Sequence, residues 1–162
     1  MKKSEDLLIL KKEIEKTLDI LEAVHSFYEE FRQKDMPALG KRMTAAIVIA
    51  QVLDNFYTCL ETLFLRISRF FENTLDQKRW HSDLLEKMAL NIEGIREQVV
   101  SPESYPLLLE LLRFRHFRRY YFELGHDWDK LEFLQKKYQE CRPLIRKDLK
   151  RFIQFLDALQ EE

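Results

Sequence analysis

The chain has 162 residues, 46% of them hydrophobic, and its 27 Lys and Arg stand against 28 Asp and Glu for a formal charge of −1. A charge this close to zero excludes bulk adhesion to nucleic acid or to an anionic membrane, so any contact with a polyanion has to come from a local patch. The length fits one domain, expected over 1–162, and three glycines and four prolines leave few interruptions among good helix formers.

In chain order, 4–34 reads as one long helix. Leu7, Leu10, Ile14, Leu18, Leu21 and Val24 recur at three- and four-residue intervals with charges between them. Ser4 is the expected cap, and Lys34-Asp35-Met36-Pro37 with Gly40 ends the pattern. A second long helix is expected over 42–73. It is nearly all apolar and small from Ala45 to Leu53, and so central, until Asn73-Thr74 breaks it. A shorter helix follows near 80–91, where His81-Ser82-Asp83 precedes Leu84-Leu85. Gly94 ends that piece, and 95–101 reads as a loop or a single turn.

Ser101-Pro102-Glu103-Ser104 is a helix start, a capping side chain followed by proline at the first helical position. That helix should run to Leu124, with Gly125 as its stop. Asp127 then caps a last helix from Trp128 to about Leu159, which Pro143 is expected to kink or divide. With no strand-like alternation and no repeat, the expectation is an all-α, up-and-down bundle of four to five helices.

The first residues hold too short an apolar stretch for a secretory leader. The longest apolar run, Ala45 to Ala50, is far below the roughly 20 residues a membrane-spanning helix needs. Cys59 and Cys141 stand far apart without a motif and read as reduced thiols. A soluble, cytoplasmic protein with no membrane contact is expected.

Four arginines and a histidine fall within seven residues: Arg113, Arg115, His116, Arg118 and Arg119. At about 100° per residue, Leu107, Leu111, Phe114, Phe117, Tyr121 and Leu124 form one core stripe. Leu108, Leu112, Arg115, Arg119 and Phe122 form a second row beside it, and His116 and Tyr120 stand one step further round. Arg115 and Arg119 at this spacing can hold one phosphate through paired N–H donors. His116, titrating near neutrality, can move a proton there. Arginine-rich helix faces are also commonly solvated or paired with nearby acids. Glu110, Glu123, Asp127 and Asp129 are within reach for that, and Asp54 and Glu61 of the apolar second helix can meet Arg115 or Arg119.

His25 and His81 lie on different helices without carboxylate or cysteine partners at ligand spacing, so no metal site is expected. There is no glycine-rich phosphate loop and no support for a serine triad. No cofactor is expected.

The segment 112–122, Leu-Arg-Phe-Arg-His-Phe-Arg-Arg-Tyr-Tyr-Phe, followed by Leu124 and Asp127-Trp128-Asp129-Lys130-Leu131, resembles the signature of HepT-like HEPN proteins. So do Trp80-His81-Ser82-Asp83-Leu84-Leu85-Glu86-Lys87-Met88-Ala89, Gly94-Ile95-Arg96 and Ser101-Pro102 upstream. The resemblance covers about 80–131. It implies a helical bundle that pairs as a homodimer and a metal-independent ribonuclease with the motif Arg-x4-6-His. It also implies partnership with an MNT nucleotidyltransferase antitoxin.

Carried over by position, Arg115 takes the motif arginine, His116 the polar position after it, and Arg119 a frequent basic position. The motif histidine falls on Tyr120 and the motif tyrosine on Phe122. Tyr120 is a poor proton acceptor, with an ordinary pKa of about 10, and Phe122 offers no hydroxyl to adenylylate. Arg119 and His126 form a second formal match at the looser spacing.

The resemblance thus implies Arg115, His116, Arg119 and Tyr120 as catalytic positions, with Arg113, Arg118 and Tyr121 as contacts to RNA phosphate. Leu108 and Leu112 are expected beside the twofold axis of the dimer. Two other readings stand beside the toxin: a catalytically degenerate bundle that binds a nucleotidyltransferase, and a structural bundle with a solvated basic patch.

Overall fold

The computed structural model describes residues 2–72, 80–118 and 127–162, and for 80–82 and 116–118 the backbone alone. The described elements are α1 (Lys2–Glu30), a π-helical turn (Phe31–Asp35), α2 (Met36–Leu39), α3 (Met43–Phe71), α4 (Trp80–Met88), α5 (Tyr105–Arg118) and α6 (Trp128–Glu161). No strand is formed among the described residues, where the one isolated bridge joins Ile92 and Arg96. The fold is the expected all-α bundle.

α1 starts earlier than its sequence signal, so Ser4 lies inside the helix rather than capping it. At its far end the chain does not leave helical geometry at Lys34. The wide turn carries the N–H of Met36 to the carbonyl of Phe31, and the chain continues into α2. Such a widened turn accommodates Pro37, which brings no N–H and crowds the preceding turn. The helix stops at Gly40, whose φ of 65° is open to glycine at little cost.

α3 is the centre of the bundle and packs against α1, α4, α5 and α6. Ile49, Leu53, Phe56, Leu60, Phe64 and Ile67 on it are fully buried. One continuous helix joins apolar stretches that are short in sequence. It reaches a mean hydropathy of 1.4 over its most apolar window, long and apolar enough to cross a membrane by length and composition. Half of that window is buried inside the bundle, as in a core helix. The apolar character of α3 thus extends well beyond the run Ala45–Ala50.

α4 ends at Met88, before Gly94, and the connection to α5 is closely bonded. Val99 and Val100 both donate to the carbonyl of Met88, at 2.8 and 2.9 Å. α5 begins at Tyr105, one turn later than its sequence signal: Ser104 N–H donates to Ser101 Oγ at 3.2 Å, and 102–104 form a turn, so Pro102 stands ahead of the helix rather than at its first position. Asp127 caps α6 by accepting the N–H of Lys130 at 3.1 Å.

α6 runs undivided through Pro143, which faces solvent. Buried Tyr138 and Cys141 before it, and Ile145 and Leu149 after it, hold both halves on the core. The expected breaks at Asn73-Thr74 and Gly125 lie outside the described residues. Both cysteines are free thiols, Cys141 buried and Cys59 half-buried.

Candidate functional site

α5 buries more of its surface than one stripe. Leu107, Leu111 and Phe114 face the core as expected, and Leu108 and Leu112, 0% and 3% exposed, are buried with them. α5 is sandwiched among α3, α4 and α6, so both rows find partners within the protomer. Leu108 and Leu112 therefore cannot supply contact across a twofold axis.

Arg115 continues the second of these rows, where the row reaches the surface. Its Nη1 donates to Glu61 Oε1 at 2.7 Å, and its Nε stands 3.5 Å from Asp54 Oδ1. The guanidinium carbon lies 6.0 Å from the ring centre of Tyr57. Asp54, Tyr57 and Glu61 follow one another along one side of α3, so a single helix face receives the arginine. Burial raises the Tyr57 hydroxyl well above its ordinary pKa, and the charge of Glu61 adds to that while Arg115 opposes it. The arginine remains partly open to solvent, with a side-chain exposure of 27%. A guanidinium carries five N–H donors in a fixed fork. The two carboxylates engage its Nε and Nη1 and so constrain its plane.

The remaining sequence candidates divide in two. Arg113 is exposed and pairs with Glu110 one turn away at 3.4 Å, a surface contact. His116 and Arg118 continue the helical backbone of α5. Arg119, Tyr120 and Tyr121 lie outside the described residues, as do Phe122, Glu123 and His126. Of the acids proposed as partners, Glu110 meets Arg113, whereas Arg115 turns inward to Asp54 and Glu61.

Two buried polar clusters went unread in the sequence. Asp148 of α6 accepts from Ser101 N–H at 3.0 Å, Ser101 Oγ at 2.9 Å and Ser104 Oγ at 2.7 Å. It therefore ties the start of α5 to the last helix. Its signal was a charge on the otherwise apolar series Cys141, Ile145, Leu149 and Phe152. Arg96, its side chain wholly buried, pairs with Glu72 and donates to the carbonyls of Leu90, Glu97 and Lys87. It binds the end of α3 to the connection after α4. Among the described residues, no group of three or more His, Cys, Asp or Glu is placed to hold a metal ion.

The described residues form an all-α bundle whose arginine-rich helix rests on acids of the central helix, and the family match below makes its architecture HEPN-like. Residues 48–156 match the family described as HepT-like protein, and the chain belongs to that family. The match takes in α5 with the whole arginine cluster and leaves α1 outside it. No curated protein and no solved structure gives a significant match to the chain.

Proposed function

We propose that this chain is the HEPN-type toxin of a toxin–antitoxin pair, a metal-independent RNA endonuclease that acts as a cytoplasmic homodimer beside an MNT-type nucleotidyltransferase antitoxin. Family membership supports the general reading. The observation that carries it to a site is Arg115, at the position that takes the motif arginine, oriented by Glu61 and Asp54 and partly open to solvent. A preoriented guanidinium stabilises charge that develops on a phosphate without reorganising during the reaction.

In this reading the RNA's own 2′-hydroxyl attacks the adjacent phosphorus, and the bond to the 5′-oxygen breaks. The products are a 2′,3′-cyclic phosphate and a free 5′-hydroxyl. Arg115 and Arg119 hold the phosphate, with Arg113, Arg118 and Tyr121 along the strand. His116 takes over the proton transfer that Tyr120 is poorly suited to perform at neutral pH.

A second reading has its own observation. Arg115 already faces two carboxylates, and a phosphate arriving there meets their charge as well. With Tyr120 at the histidine position, that arrangement suits a catalytically degenerate bundle that presents its surface to the nucleotidyltransferase.

One experiment separates the two. Purified protein is incubated with total RNA and tRNA in the presence of a chelator, alongside Arg115→Ala and His116→Ala. Cleavage to cyclic-phosphate ends that both substitutions abolish establishes the ribonuclease. Intact RNA, together with a stable complex with an MNT-type nucleotidyltransferase, establishes the binding module.

A further inference from the structure

We propose that a second copy of this chain seats on the outer face of α3 and the groove between α1 and α3, with the Arg115 site at the edge of the contact. The inference rests on the homodimer reading above and adds where the twofold contact lies.

Three observations carry it. The first is an open apolar groove of about 560 Å³, lined by Ile20, Val24 and Phe27 of α1 with Ile47, Val48 and Val52 of α3. Phe27 is 56% exposed, and Ile20 and Ile47 are exposed beside it. Large apolar side chains gathered on one open face mark an interaction site rather than ordinary surface.

The second is the charge pattern. Charged residues make up 34% of the chain, yet between Met43 and Leu65 the only ones are Asp54 and Glu61. Both of those face Arg115. The exposed positions Thr44, Gln51, Asn55, Thr58 and Thr62 are all uncharged, and the amide of Gln51 donates to Asn55 at 2.7 Å. Depletion of charge is the compositional mark of an interface core.

The third is position. Gln51 and Thr58 stand one turn before Asp54 and Glu61 on α3, so the uncharged strip borders the acids that hold Arg115.

The same features choose the occupant. A polyanion or a charged peptide finds no counter-charge on this strip. A face that packs on its own copy about a twofold axis has the opposite requirement, since any charge near the axis meets its like. Phe27 projects from the face that also holds the groove, so knob and hollow can exchange between copies. The exclusion of Leu108 and Leu112 from the surface removes the competing contact on α5.

The test is sedimentation equilibrium of the full chain and of Phe27→Glu, Gln51→Glu and the milder Phe27→Ser, with Phe133→Glu at an exposed position of α6 as control and helix content checked by circular dichroism. The expected result is a dimer for the wild type and the control. The face variants keep their helix content while the dimer dissociation constant rises about tenfold or more. Dimers that persist in all face variants overturn the placement and leave the homodimer reading standing. A monomeric wild type overturns both. If such a monomer sediments with phosphatidylcholine vesicles, and Phe27→Glu prevents this, the face belongs to a lipid surface instead of a second copy.

Discussion

Arg115 Nη1 lies 2.7 Å from Glu61 Oε1, an ion pair that joins α5 to the middle of α3 across 54 positions of sequence. It makes Arg115 a structural anchor, apart from the phosphate-binding role proposed for it. Arg115→Ala removes the guanidinium that meets a carboxylate only 5% exposed. Losing such a charged hydrogen bond costs about 1–3 kcal/mol. Arg113→Ala removes an exposed pair and should change stability by less than about 0.5 kcal/mol. Urea denaturation of both variants checks this, and coincident midpoints would refute the anchoring role.

Asp148 gathers three hydrogen bonds from the start of α5. Asp148→Ala leaves two buried hydroxyls and one backbone N–H without their acceptor, at a cost of about 2–4 kcal/mol. Ser104→Ala removes one donor and should cost about 1 kcal/mol. Thermal melts rank the two; the reverse order would show that the cluster is not centred on the carboxylate.

Arg96 offers a sharper contrast. Its buried guanidinium pairs with Glu72 and reaches three carbonyls, while Ser68 donates to the other oxygen of Glu72 at 2.5 Å. Arg96→Lys keeps the charge and loses the planar fork, so it should still lose about half or more of what Arg96→Ala loses. The alanine variant should fall by about 3–5 kcal/mol. A lysine variant as stable as wild type would show that charge alone suffices there.

His25 gives the fold a pH dependence. Its Nδ1 lies 3.1 Å from the hydroxyl of Tyr138 in the seam between α1 and α6. Burial, and then the charge of Arg142, hold its pKa below the ordinary 6.5, with Glu29 and Glu22 opposing. Between the lowered value and 6.5 the unfolded chain binds more protons than the folded one, so this group's contribution to stability rises with pH through that window and levels off above it. In His25→Gln that component of the slope should vanish. Denaturation midpoints of both proteins at several pH values from about 5 to 8 measure it, and parallel curves would remove His25 from the account.

What the sequence determined by itself was the five longer helices and the main stripe along which they bury. Three- and four-residue spacing of leucines, Asp127 at a helix start and Gly40 at a stop are local signals that local hydrogen bonding obeys, while Ser101-Pro102 marks the approach to α5 one turn early. The identity of the cluster helix was legible for the same reason, and a meeting of Asp54 or Glu61 with an arginine followed from acids placed on an apolar helix. Tertiary structure alone decided the rest. Leu108 and Leu112 went inward because α5 has neighbours on two sides, a fact no single-helix projection contains. Pro143 was absorbed because buried residues on both sides of it grip the core. Asp148 found Ser101, and Arg96 found Glu72, through burial that forces each buried charge toward whichever partner the packing brings within reach. Local spacing specifies which side of a helix is apolar; only the assembled bundle specifies what stands opposite.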